Sequence, residues 1–209
     1  MQPYFYPYMG YFDLIKSVDV FVFLNDVQYT RGWMNRNKVE YHGSQKYIRV
    51  PVKKHSQKTN INCIEIFQES NWFDELEVFL NHCYGNISNH CIIQNLKDNH
   101  KHKYLDELLI PTIIHTARLL GINTEFMMSD ELTLVDYDGD LPNRYHKILQ
   151  ICKLLNAKDY MNAYGGKELY QSEIFNDHGI QLSFMPKPNY SNMCSILDVI
   201  LKNETKTRI

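Results

Sequence analysis

The first 37 residues constrain the fold more than any other stretch. Aromatic side chains fill their first part, but Pro3, Pro7 and Gly10 interrupt them, so this part cannot be one continuous strand or helix. The five consecutive apolar residues 20–24, VFVFL, then end at a polar cluster that starts with Asn25. Such a run, with β-branched and aromatic members, predicts a strand buried on both faces, as in a parallel sheet.

The segments around this strand predict a βαβ-type start. Residues 1–5 are expected to end one strand, 13–17 to form a short helix, and 20–24 to form the next strand. In open α/β sheets, ligands bind beyond the carboxyl ends of the strands. We therefore expect residues 4–11 and 25–29 to lie at one rim of the sheet, where they would form a polar pocket.

The remaining elements follow from hydrophobic periodicity and turn residues. We expect a β-hairpin over 38–52 with its turn at 42–44, helices over 72–84, 103–120, 143–155 and from 195, and strands over 60–67, 124–128, 159–163 and 179–185. Pro111 should kink the second of these helices or start a new one. The predicted fold class is α/β, with a βαβ-type N-terminal start, a mostly parallel sheet, a β-hairpin and a helical insertion at about 70–122. We expect one domain over 1–209.

The composition of the chain argues against several classes of protein. The formal net charge of -2 argues against DNA as a partner. Five cysteines without a CxxC motif, and no secretory signal, predict a cytoplasmic protein with reduced thiols. No apolar run approaches the roughly 18 residues of a membrane span. The His and Cys residues between 82 and 102 match no zinc spacing, so we expect no metal site.

Basic residues concentrate just after the aromatic segment. Residues 31–58 contain eight Lys or Arg and one acid, Glu40. They form either a solvated hairpin face or a rim for a phosphorylated ligand. The acid-rich stretch 130–140 is expected to be a loop that approaches this rim or is simply solvated. A second phosphate-binding pattern, strand then Gly165-Gly166 then helix, is explained equally well by a tight turn.

Asp26 is the strongest acid-base candidate. It follows a buried strand, where partial desolvation can raise the pKa of a carboxyl group towards neutrality. Its alternative role is that of a turn or cap residue. Among the rings, Tyr4, Tyr11, Tyr29 and Trp33 could stack on a base or sugar, or half of them could belong to the core.

Three segments resemble the WbqC-like proteins. The opening QPYFYPYMGYFDLIKSVDVFVFLNDVQYTRGWMNRNKV is similar to that family's pattern QPYFFPYxGYFxLIxxxDxFVxxDDVQYxxxxWxNRNxI. YMNAYGGKELY resembles its YxSGxGGxxY segment, and SILDVIL resembles its SIIDLL ending. The chain differs in three places: only Met1 precedes QPYF, Asn25 replaces the first Asp of DDVQY, and residues 162–164 replace the Ser-Gly pair.

The resemblance implies a role in the biosynthesis of bacterial O-antigen and other surface glycans. It implies an N-acyl- or aminoacyltransferase that forms an amide on a nucleotide-linked amino sugar, such as a dTDP-4-amino-4,6-dideoxyhexose. No bound cofactor is expected, and the acyl donor could be an acyl-CoA, an aminoacyl-tRNA or an ATP-activated acid. Transfer RNA would be a partner only as that donor. The alternatives are a non-catalytic sugar-nucleotide or glycan-binding module and an adenylating enzyme.

On this hypothesis each candidate residue has an expected role. Asp26 would take the amine proton, with Gln28, Asn35 and Asn37 orienting the sugar or the oxyanion. The residues expected to bind substrate are Gln2, Tyr4, Tyr8, Tyr11, Gln28, Tyr29, Trp33, Asn35, Arg36, Asn37, Lys38, Gly165, Gly166 and Lys167. Of these, Arg36, Lys38 and the turn at 165–167 would hold the diphosphate.

Overall fold

The computed structural model describes residues 1–134, 141–190 and 193–207, and only the backbone of Asn143 and of 203–207. The α-helices are α1 (Met9–Lys16), α2 (Trp72–Tyr84), α3 (Cys91–Asn99), α4 (Leu105–Leu119), α5 (Asn143–Leu154), α6 (Ser172–Asn176) and α7 (Ile196–Thr207). The strands are β1 (Val20–Phe23), β2 (Arg36–Tyr41), β3 (Ser44–Arg49), β4 (Glu125–Met128), β5 (Asp159–Asn162) and β6 (Gln181–Phe184). Shorter 3₁₀ turns are Ile61–Cys63, Ser129–Glu131 and Tyr164–Glu168. The predicted α/β class is confirmed.

The parallel strands form two separate pairs within the described residues. β1 pairs with β4 and β5 pairs with β6, while β2 and β3 form the antiparallel hairpin. The start of the chain lies beside β1, because the backbone N–H of Leu24 donates to the carbonyl of Met1 at 2.9 Å. The strand predicted at residues 1–5 does not form, and α1 is the first element of the chain; of the predicted βαβ-type start, the structure has α1, β1 and this contact of Met1 beside β1.

The hairpin turns where the sequence predicts. Non-glycine residues disfavour positive φ, yet His42 has a φ of 47° and Gly43 one of 74°. Two successive positive φ angles match the right-handed twist of a two-residue hairpin. The hairpin packs inward through Val39 and Ile48, which are 0% and 2% exposed.

The helical segment predicted at about 70–122 contains α2, α3 and α4. α4 continues through Pro111, so this proline does not start a second helix. α3 lies in the polar, His-rich stretch for which the sequence predicted no helix; its buried residues are Ile92, Ile93, Leu96 and Asn99. The predicted strand at 60–67 is instead the 3₁₀ turn Ile61–Cys63, followed by isolated bridges at Glu65 and Ile66.

Two hydrophobic clusters stabilise these elements. The larger one joins α1, β1, the inner side of the hairpin, α2 to α4 and α7. The smaller one joins α5, α6 and the β5–β6 pair around Phe175, which is 0% exposed. Leu24, at the end of β1, packs against the smaller cluster. In the part of the chain that the structure describes, no helix combines the length and apolar character needed to span a membrane.

Candidate functional site at the carboxyl edge of β1 and β4

The carboxyl ends of β1 and β4 lie side by side. The parallel register aligns Phe23 with Met128, so the residues that follow each strand meet at one edge. Asn25 and Asp26 come from the first strand, and Ser129 and Asp130 come from the second. This is the rim at which the parallel-sheet rule places a ligand.

Asn25 connects three segments at this edge. Its side chain is 1% exposed, and its Nδ2 donates to Oδ2 of Asp106 on α4 at 3.0 Å. Its Oδ1 accepts from the backbone N–H of Asp130 at 3.3 Å, and its carbonyl accepts from the N–H of Asn62 at 2.9 Å. Burial raises the pKa of Asp106, and the hydrogen bond from Asn25 opposes that rise. An amide therefore suits this position, since a carboxylate here would face that of Asp106.

Asp26 is held as a carboxylate. Its Oδ1 forms an ion pair with Nζ of Lys147 on α5 and accepts a hydrogen bond from Oγ of Ser129. Partial burial opposes ionisation, but Lys147 and Ser129 outweigh it and hold the pKa of Asp26 below its ordinary value. The predicted rise towards neutrality is therefore wrong, because sequence reasoning missed both partners.

Lys147 and Ser129 lie 121 and 103 residues from Asp26 in the chain. No local pattern could have indicated them. The side chains of Asp26 and Lys147 are 27% and 21% exposed, so both reach solvent at the rim. Chemically, the pair offers an ionised acceptor for a proton and an ammonium group that can stabilise a developing negative charge.

Three of the aromatic candidates form a cluster of which only part is accessible. Tyr4 contacts Tyr11 and Trp33 edge to face, with ring centroids 5.4 and 5.3 Å apart. Tyr11 is 1% exposed and its hydroxyl donates to the carbonyl of Gln2, so it belongs to the core. Trp33 is 37% exposed and Tyr8 is partly exposed, so these two rings remain available for stacking.

The amide candidates at 35 and 37 contact backbone rather than open space. Nδ2 of Asn35 donates to the carbonyl of Val50 at 2.7 Å, and Nδ2 of Asn37 donates to the carbonyl of Tyr6 at 2.6 Å. Lys38, the next residue, donates through Nζ to Oε1 of Gln45 at 3.2 Å. These contacts hold the hairpin and the opening segment together. A direct role for the three residues at a sugar or phosphate stays a prediction.

Between the rim and the hairpin, the chain passes through Gln28 and Tyr29. Arg36 is the first residue of β2. Nε2 of Gln28 donates to the carbonyl of Gln57 at 2.8 Å. Burial raises the pKa of Tyr29 to about 12, against the opposing effect of Arg31 and Arg36. Tyr29 and Arg36 both line an open pocket of about 330 Å³; its lining is Tyr29, Arg31, Gly32, Asn35, Arg36, Arg49, Val52, Lys53, Lys54 and His55.

The glycine turn does not join this pocket. Residues 164–168 form a 3₁₀ turn in place of the predicted helix start, and Nζ of Lys167 lies 5.0 Å from the ring of Tyr164. A Cβ on Gly166 would stand 2.7 Å from Nδ2 of Asn162, so close packing explains this glycine. None of the described residues that line the Arg36 pocket comes from the turn.

The His and Cys residues of the helical segment form no metal centre in the described residues, where no group of three or more His, Cys, Asp or Glu could hold an ion. His100 stacks on Phe73 with ring centroids 4.5 Å apart. Nδ1 of His82 contacts the carbonyl of Val78 at 2.7 Å within α2. Both are structural contacts.

Comparison with known proteins decides the family. The model of the WbqC-like protein family matches residues 2–209. The chain belongs to the WbqC-like protein family. A curated relative, described as the uncharacterized protein Rv1507c of Mycobacterium tuberculosis, is 24% identical over 198 residues, which is 91% of this chain and 82% of the relative. No solved structure matches the chain significantly.

Two of the segments that resemble the WbqC-like pattern meet in the fold. The N–H of Ser195 donates to the carbonyl of Lys38 at 2.8 Å, and that of Ile196 donates to the carbonyl of Pro7 at 2.9 Å. The hydroxyl of Ser195 also donates to the carbonyl of Tyr6, the same oxygen that Asn37 contacts. The SILD segment therefore fixes the opening QPYFYPY loop. Tyr6 is held there with a φ of 41°, which costs a tyrosine conformational energy.

Proposed function

We propose that this WbqC-like protein is a transferase of bacterial surface-glycan biosynthesis that forms an amide on the amino group of a nucleotide-linked amino sugar. The acyl group would come from an acyl-CoA, an aminoacyl-tRNA or an ATP-activated acid. The observation that carries the proposal is the grouping of an ionised Asp26 with Lys147 and Ser129 at the carboxyl edge of β1 and β4. Family membership supports the glycan pathway, and the site geometry supports the chemistry.

In the proposed step, the sugar amine attacks the acyl carbon of the donor. The new C–N bond forms as the bond from the acyl carbon to the leaving sulfur or oxygen breaks. Asp26 accepts the proton that the nitrogen loses, and the leaving group departs as an anion or takes a proton from solvent. The ammonium of Lys147 would stabilise the negative charge that develops on the acyl oxygen. Asp26 is ionised at neutral pH, the state in which a carboxylate can accept a proton, and the lowering of its pKa makes it a weaker base than an ordinary carboxylate.

One observation favours a second candidate, a non-catalytic sugar-nucleotide-binding module. Asp26 is already paired with Lys147, and a strongly paired carboxylate is a weak base. In a binding module the same pair would orient a sugar hydroxyl or amine without transferring a proton. The two candidates share the rim and differ in whether the bound sugar is turned over.

The test is an amide-forming assay followed by mass spectrometry. Purified protein is incubated with dTDP- and UDP-linked amino sugars and each of the three donor classes. Wild type should give the N-acylated sugar, and Asp26→Asn should lower the rate by about 100-fold or more because the proton acceptor is lost. Asp19→Asn is the matched control: this exposed residue precedes the amino end of β1, so its rate should equal that of wild type.

Turnover that survives Asp26→Asn would contradict the assigned role of Asp26. Binding of the sugar nucleotide without any product, across the whole donor panel, would identify the binding module instead. ATP–pyrophosphate exchange in the presence of a free acid would identify an adenylating enzyme.

A further inference from the structure

The β-hairpin places two arginines directly opposite each other. Arg36 on β2 and Arg49 on β3 are register partners in the antiparallel ladder, so their side chains leave the same face of the hairpin. Like charges in this arrangement repel and destabilise a hairpin. A bound anion between the two guanidinium groups would convert this repulsion into attraction.

The pocket beside this pair is strongly basic. Five of its lining residues are cations, namely Arg31, Arg36, Arg49, Lys53 and Lys54, and none of the described lining residues is an acid. The charge of Lys53 is compensated by Glu65, which does not line the pocket; Oε2 of Glu65 lies 3.0 Å from Nζ of Lys53. Residues 31–58 hold eight of the 22 Lys and Arg residues of a chain whose net charge is -2, so this positive charge is local.

The guanidinium of Arg36 is positioned by a ring contact, and one of its N–H donors has no partner among the described residues. Its Cζ lies 4.4 Å from the ring centroid of Tyr47, an arrangement that fixes the planar group by cation–π attraction. Its Nε–H is buried and has no hydrogen-bond partner among the described residues. Gly32 lies beside this guanidinium, since a Cβ built on it would stand 3.5 Å from Nη2 of Arg36, an ordinary contact distance; its φ of 94° is what favours glycine there.

We propose that this pocket binds the diphosphate group of a nucleotide sugar, with Arg36 and Arg49 as its principal ligands and Arg31 and Lys54 beside them. The inference rests on the proposed function for the identity of the sugar nucleotide. Arginine presents a rigid fork of donors that matches phosphate oxygens in pairs. The volume of about 330 Å³ lies in the range of small-molecule sites. Of the residues expected to hold the diphosphate, this proposal keeps Arg36 and replaces Lys38 and the turn at 165–167 with Arg49, Arg31 and Lys54.

Isothermal titration calorimetry with UDP, dTDP, inorganic pyrophosphate and uridine tests the pocket. Wild type should bind the two nucleotides and pyrophosphate, and uridine should bind at least about 100-fold more weakly than UDP because it has no phosphate. Arg36→Gln and Arg49→Gln should each weaken UDP binding by about 10- to 100-fold, and raised salt should weaken wild-type binding. Arg49 is exposed, so its variant keeps the fold even if Arg36→Gln does not.

Lys46→Gln is the matched control. Lys46 is an exposed cation of the same hairpin, but its register partner is Val39 and it does not line the pocket. UDP affinity should therefore equal that of wild type. Equal losses in Lys46→Gln and Arg49→Gln would show a diffuse charge effect and overturn the proposal. So would uridine binding as tightly as UDP, or an RNA oligonucleotide binding to this face while pyrophosphate does not.

The outcomes separate this proposal from the proposed function. Arginine-dependent UDP binding without amide formation leaves the diphosphate pocket standing and rejects the transferase. Amide formation at the wild-type rate and Michaelis constant in Arg36→Gln and Arg49→Gln supports the transferase and rejects the pocket.

Discussion

At the scale of single residues, the two glycines of the 165–166 turn have different roles. A Cβ on Gly166 would lie 2.7 Å from Nδ2 and 2.9 Å from Cγ of Asn162, whereas one on Gly165 would meet nothing within 4 Å. The Asn162 side chain cannot easily move away, because its Oδ1 accepts from the N–H of Ala163 at 2.7 Å. The glycine pair therefore reflects packing at one position only.

This difference predicts opposite results for two alanine substitutions. Gly166→Ala should lower the free energy of unfolding by about 1–3 kcal/mol through overpacking. Gly165→Ala should leave it unchanged or raise it slightly, because the unfolded chain loses freedom. Urea denaturation of both variants measures the difference. UDP affinity provides the contrasting readout: a loss of binding in both variants, with stability intact, would restore the turn as a phosphate site.

At the scale of secondary-structure elements, α7 is attached to the hairpin and to α2 through one buried carboxylate. Asp198, 5% exposed, accepts the backbone N–H of Glu40 through both oxygens, at 3.1 and 3.0 Å. It also accepts the hydroxyl of Tyr84, and Nζ of Lys202 lies 3.5 Å away. The aspartate of the SILD segment therefore joins three elements that are distant in sequence.

Asp198→Ala should strongly destabilise the fold, because it removes the acceptor to which both the N–H of Glu40 and the buried hydroxyl of Tyr84 donate. We expect a loss of about 2–5 kcal/mol in the free energy of unfolding, and about 1–2 kcal/mol for Tyr84→Phe, which removes one donor only. Glu40→Gln, which removes the charge that pairs with Lys202 at the surface, should change stability little. Chemical denaturation ranks the three variants; equal stability of Asp198→Ala and Glu40→Gln would contradict the structural role.

Secondary-structure elements are predictable from the sequence where the hydrophobic periodicity is strong. They are not predictable where contacts with distant residues determine the local conformation. α2, α5 and the hairpin lie within a few residues of their predicted bounds, because their apolar spacing or turn residues are clear. The stretch around Ile61 has strand-like composition, but backbone bonds to Val27 and Lys103 stabilise a turn and short bridges instead. The rim was predictable from the rule for parallel strands, whereas Lys147 comes from an ordinary amphipathic helix and carries no local signal.

At the scale of the whole molecule, several tyrosines from distant parts of the chain are buried. Tyr6 and Tyr11 are 1% exposed, and the hydroxyl of Tyr6 donates to the carbonyl of Ile92 across 86 residues of chain. Burial is the largest cause of a raised pKa at Tyr4, Tyr6, Tyr11, Tyr84 and Tyr160. Several distant segments thus share one response to alkaline pH.

This shared response predicts a steep loss of stability above pH 10, the ordinary pKa of tyrosine. Above that pH the unfolded chain releases phenolic protons that the folded chain keeps, so the stabilising contribution that is complete below pH 10 declines as the pH rises. Each such tyrosine should cost about 1.4 kcal/mol per pH unit in this range. Urea denaturation at pH 8, 10 and 11 measures the decline, and ultraviolet absorbance of phenolate shows whether ionisation accompanies unfolding. Tyr6→Phe should make the slope of unfolding free energy against pH shallower by one proton, whereas Tyr47→Phe, at an exposed position, should not. Equal slopes in wild type and both variants would show that the core tyrosines ionise without unfolding.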